Sequence, residues 1–135
     1  MENTQKGFRD IQTIMKLTYG IVPIVAGLDK FTNLLADWPR YIHPGLLSML
    51  PVSGKAFMMV VGVIEIVAGI LVLAKPKIGA AVVSAWLVLI GLSLLASGNY
   101  LDVAVRDIVM AVGAFALMKL SANLQERSLE IGAAL

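Results

Sequence analysis

The chain has no cysteine and a single histidine in 135 residues. Without cysteine it can build no disulfide framework, thiolate metal site, iron–sulfur cluster or covalent haem attachment. With His43 alone, neither a pair of histidine haem ligands nor a multi-histidine metal cluster is available. Charge is scarce as well: Asp, Glu, Lys and Arg make up 15% of the chain, against about 25% in a typical soluble domain. Hydrophobic residues reach 59% and the mean hydropathy is +0.85. Water is therefore not the main solvent of this chain. The net charge of +2 and the pI near 9.0 read as topology-setting charge beside a membrane rather than as the footprint of nucleic acid. No nucleotide-binding, hydrolase or zinc-ligand pattern occurs.

What is present is a set of long apolar runs. A hydrocarbon core of about 30 Å needs about 20 apolar helical residues, and four segments meet that length: 14–35, 56–74, 78–97 and 101–120. The second is broken only by Glu65 and the third carries no charge. None alternates with the period of a strand, which excludes a β-barrel. The expected fold is all-α: an integral membrane four-helix bundle, with short links forcing antiparallel neighbours. Residues 1–13 read as a short amphipathic cytoplasmic arm, with Phe8 and Ile11 at helical spacing, and 121–135 as a cytoplasmic tail. A cleavable signal peptide is the competing reading of the first span. Glu2, Asp10 and the lack of an A-x-A site speak against it.

Orientation follows from the loops. Lys6, Arg9, Lys16, Lys75, Lys77, Lys119 and Arg127 fall on one side, and Arg40 and Lys55 on the other. The positive-inside rule then puts both termini in the cytoplasm. The long segment 36–55 faces outward. Pro39, Pro44 and Pro51 break it, Trp38 and Tyr41 suit headgroup level, and Leu46, Leu47, Met49 and Leu50 are too apolar for a solvated loop. A short interfacial helix or a lid is expected there.

Ionisable residues at membrane depth are costly, face the bundle interior and mark sites. Asp29 and Lys30, Glu65, and Arg106 with Asp107 fall at similar depths in the outer half, and Asp102 and Arg106 form an i, i+4 pair. Gly62, Glu65 and Gly69 share one helix face, as do Gly20, Pro23, Gly27 and Lys30, so glycine stripes accompany Glu65 and Lys30 into close helix contacts. Three acids (Asp29, Glu65, Asp107) stand against two bases (Lys30, Arg106), and Glu65 is expected to be the acid without a dedicated partner. His43, in the outward segment, reads first as an exposed loop residue and second as a ligand contact at the outer mouth. Trp86 reads as packing. Two roles for the cluster stay open: an ionic network that only sets helix register, or a site for a ligand, protons or redox chemistry.

The patterns K-L-T-Y-G-I-V-P-I-V-A-G-L-D-K-F (Lys16 to Phe31), G-V-I-E-I-V-A-G-I-L-V-L-A (Gly62 to Ala74) and D-x-x-x-x-x-G (Asp107 to Gly113) resemble the DoxX-like family of small bacterial four-helix membrane proteins. The resemblance runs from about residue 14 to 120, with Lys16 where the family's first span usually opens with arginine. Its motif positions fall on Gly27, Lys30, Glu65, Gly69 and Asp107. Some members are associated with membrane thiosulfate:quinone oxidoreductase or with redox-stress complexes. The resemblance thus implies a quinone-interacting subunit of a membrane oxidoreductase, with no tightly bound cofactor, no metal and a candidate quinone. In that role Glu65 and Asp107 are the candidate catalytic, proton-moving acids. Lys30 and Arg106, with Asp29, Asp102 and His43, are the candidate ligand-binding residues. Electrons must then come from a redox partner protein, because the chain holds no complete catalytic constellation of its own. Two alternatives remain beside it: a non-catalytic assembly or scaffold subunit, and a small carrier or channel built as a homo-oligomer.

Overall fold

Start and stop signals divide the chain into five α-helices and one 3-10 turn in the computed structural model, which describes residues 2–134. These are α1 (Glu2–Thr32), the turn Trp38–Tyr41, α2 (Pro44–Met49), α3 (Gly54–Ala74), α4 (Pro76–Ser97) and α5 (Leu101–Ala134). The structure is all-helical, 89% helix, with no strand among the described residues. Three helices, α1, α3 and α4, are long and apolar enough to cross a membrane. The fourth expected span lies within α5, whose first two turns carry Asp102, Arg106 and Asp107.

Local chemistry explains the boundaries. Ser53 caps α3, its hydroxyl accepting from the Ala56 N–H at 3.2 Å. Proline opens α2 and α4, where its missing N–H is no loss. Gly98, at φ 71°, closes α4 in the left-handed conformation that glycine adopts without strain. The first helix ends at Thr32 rather than at residue 35 as expected. Asn33 turns left-handed, at φ 54°, and the Asp29 carboxylate collects the N–H groups of Leu34 and Leu35, both at 3.0 Å. The expected arm is not a separate element, since α1 is helical from Glu2 onward, and the expected tail continues α5. Met1 and Leu135, the ends of that arm and tail, lie outside the described residues.

The long helices associate as two close pairs, α1 with α3 and α4 with α5. Glycine makes the first pair close: a methyl group on Gly62 would come within 2.6 Å of the Gly27 carbonyl oxygen, and Gly20 meets Gly69 in the same way. Because sequence numbers rise along α1 as they fall along α3, the two helices run in opposite directions. The second pair is tied where the Ser84 hydroxyl donates to the Ala111 carbonyl at 2.8 Å and where Gly91 faces Ala104 and Ile108. The pairs join through α3 against α4, with Gly79 on the backbone of Val72. They join again through α1 against α5, where the Tyr19 hydroxyl donates to the Met110 carbonyl at 2.9 Å and Gln12 donates to the Ser121 hydroxyl at 3.0 Å. Around the α3–α4 contact lies the densest packing, formed by Ala68, Val72, Ala80, Val83, Ala114 and Leu117.

Candidate functional site

Between the two pairs the helices form a cavity of about 720 Å³ that borders that dense region at Ala68 and Val83. Its wall is mostly apolar and is shared by α1, α3, α4, α5 and the segment that joins α1 to α3. Trp38, Tyr41, Ile42, His43 and Leu46 of that segment all line it. The volume lies in the range of about 300–1,000 Å³ typical of small-molecule sites.

The charged groups on the wall come from three helices. Lys30, near the end of α1, donates to Glu65 in the middle of α3 at 2.6 Å, with side chains 4% and 11% exposed. Glu65 is therefore not the partnerless acid that the charge count suggested. The Lys30 side chain is long enough to reach it across the glycine contact, which a count by depth does not reveal. The same ammonium lies 3.8 Å from the centroid of the Trp38 ring, a cation–π contact that covers its other side. Trp38 is held in turn by Asp29, whose carboxylate accepts from the indole N–H at 2.8 Å. That carboxylate also takes the Thr32 hydroxyl at 3.1 Å along with the two backbone N–H groups at the end of α1. Asp29 is buried and does not line the cavity. Its lone pairs are spent on ending α1 and placing Trp38, so it positions the site rather than presenting a ligand contact.

Asp107 is the acid left over. It is buried at 9% exposure and lines the cavity. None of the hydrogen bonds or ion pairs among the described residues includes it. Arg106, its neighbour, points elsewhere: it pairs with Asp102 at 3.7 Å, with side chains 74% and 67% exposed. Arg106 also lines the cavity, and Asp102 does not. The structure thus brings Lys30, Glu65, Arg106 and Asp107 to one cavity, with Arg106 exposed and paired to Asp102. His43 is half-buried and lines the cavity, with its Nδ1 accepting the Gly45 N–H at 2.9 Å as the cap of α2.

Two aromatic residues complete the site. Trp38 joins Lys30 to Asp29, and Trp86 of α4 lines the cavity with its indole Nε1 buried and without a partner. Sequence reasoning placed the first only at headgroup level and read the second as packing. The available signal was the position of Trp86 in mid-helix, far from the interfacial level tryptophan usually occupies. No three His, Cys, Asp or Glu side chains among the described residues converge on a point that could hold a metal ion.

In comparison with known proteins, no family model, curated protein or solved structure matches the chain.

Proposed function

We propose that the protein is a DoxX-like, four-span membrane protein and the quinone-interacting subunit of a membrane oxidoreductase. In this reading α1, α3, α4 and α5 form an antiparallel bundle in the bacterial inner membrane, with both termini cytoplasmic and the segment from Trp38 to Met49 as the outer lid. The observation that supports it best is the meeting, on one mostly apolar cavity, of a buried ammonium and a partnerless carboxyl group. A quinone has the matching chemistry, a flat apolar ring edged by carbonyl oxygens. When bound, it takes up two electrons and two protons and leaves as the quinol.

The chain's own groups divide that work. The Lys30 ammonium, held by Glu65 and covered by Trp38, donates to a carbonyl oxygen. Asp107, whose oxygens have no competing partner, gives one of the two protons and is recharged from the outer mouth to give the second. Apolar side chains exclude water, and Asp29 keeps Trp38 in place. Electrons come from a redox partner protein, because the chain has no cysteine and one histidine with which to ligate a redox metal centre. The scaffold reading draws on one observation, that the Lys30–Glu65 pair is complete without any ligand. It leaves Asp107 unexplained.

Mass spectrometry of the lipid extract from gently purified protein tests the proposal. About one quinone per chain is expected with the wild type, and none with Asp107→Asn whose circular dichroism is unchanged. A wild-type protein that carries no quinone, and takes none up when quinone is added, overturns it.

A further inference from the structure

We infer that the Trp86 indole N–H is the donor that holds an acceptor oxygen of the bound ligand in the middle of the membrane, and that it makes the cavity select carbonyl-bearing apolar molecules over hydrocarbons of the same shape. The inference rests on the quinone reading and names a contact which that reading does not contain.

The argument begins with depth. Trp86 is the eleventh residue of the 22-residue α4, about 15 Å from either end at 1.5 Å per residue. A tryptophan at headgroup level finds water or lipid oxygens for its N–H, whereas one at mid-depth finds neither. Register then places it. Val72 of α3 meets Gly79 of α4. Seven residues along each helix, in opposite directions, the same register brings Glu65 level with Trp86. On its other side α4 meets α5 with Ser84 bonded to Ala111, so Asp107 lies about 3 Å, roughly half a turn, from the level of Trp86. The indole is therefore in the same layer as the polar groups of the cavity.

No acceptor at that layer bonds the indole: Asp107 keeps free carboxylate oxygens, but the Trp86 N–H is without a partner. Glu65 holds Lys30, the Met110 carbonyl accepts from Tyr19, and the Ala111 carbonyl accepts from Ser84. The core residues against which Trp86 packs, Ile42, Met58 and Val61, have no oxygen or nitrogen in their side chains. The N–H is buried and unpaired, while its ring lines the cavity. A phenylalanine would fill this place without burying a donor. Only a ligand that supplies an acceptor oxygen gives the indole an advantage over it, which a quinone carbonyl does and a hydrocarbon does not.

The experiment compares two probes, a short-tailed benzoquinone and an alkylbenzene bearing the same tail, in equilibrium binding to the detergent-solubilised full chain. The proteins are the wild type, Trp86→Phe and Asp107→Asn. With Trp86→Phe, quinone binding is expected to weaken about tenfold, alkylbenzene binding to stay within about twofold, and the thermal midpoint not to fall. Equal losses for both probes, or a lowered midpoint with a matching loss, would make Trp86 a packing residue and overturn the inference. Quinone binding kept by Trp86→Phe but lost by Asp107→Asn overturns the inference and leaves the quinone reading standing. A wild type that binds no benzoquinone overturns both.

Discussion

The two ends of the helix assembly are built on opposite principles. Around the α3–α4 link, Val72, Ala80, Ala114 and Leu117 are fully or almost fully buried, and the contacts are apolar. Toward the segment that joins α1 to α3, the helices part around a cavity whose wall holds Lys30, Glu65 and Asp107. In lipid, apolar burial gives no drive for helices to associate, so close packing by small residues must supply it. The dense end does this with alanine and glycine. It allows the open end to keep ionic groups and empty volume that would weaken the assembly if they were its only contacts.

Breaking the ion pair tests this contrast most severely. Lys30→Met leaves Glu65 buried without its cation and is expected to cost about 3–5 kcal/mol, read by denaturant titration in mixed micelles. Lys30→Met combined with Glu65→Leu should regain most of that loss, since neither charge is then stranded. A double variant as unstable as the single one would show that the pair is worth more than the two desolvated ions cost, and that the open end is structural after all.

Leu117→Ala probes the dense end. Leu117 is fully buried among Ala68, Val72 and Ala114, and the cavity left behind should cost about 2–3 kcal/mol. Quinone retention should not change, because the residue lies outside the cavity wall. Asp107→Asn is expected to have the smallest effect on stability, within about 0.5 kcal/mol of wild type, because the carboxyl has no protein partner to lose. A large loss of stability in that variant would reveal a structural contact for Asp107 and weaken its role as a proton carrier.

The contrast was only partly visible in the chain itself. Lengths of apolar runs give four membrane-length segments, of which three, in α1, α3 and α4, are helices long and apolar enough to cross, since the period and the thickness to be crossed are properties of the sequence and the bilayer. Glu65 with its glycines and Lys30 with Gly27 were legible as inward faces, because helical spacing is local. The partners were not. A charge count leaves Glu65 as the spare acid, yet Lys30 reaches it. Depth alone makes Asp29 a ligand contact, yet it spends its lone pairs on Trp38 and the end of α1. The same depth puts Arg106 in the buried cluster, yet its side chain is exposed and paired with Asp102.

The sequence by itself therefore determined the solvent, the helical class and which charged residues would be costly to place, because composition and periodicity act residue by residue. The tertiary structure alone decided which acid stays free, which tryptophan keeps an unpaired N–H and where the cavity lies. Those outcomes depend on the register of one helix against another and on the reach of single side chains across it.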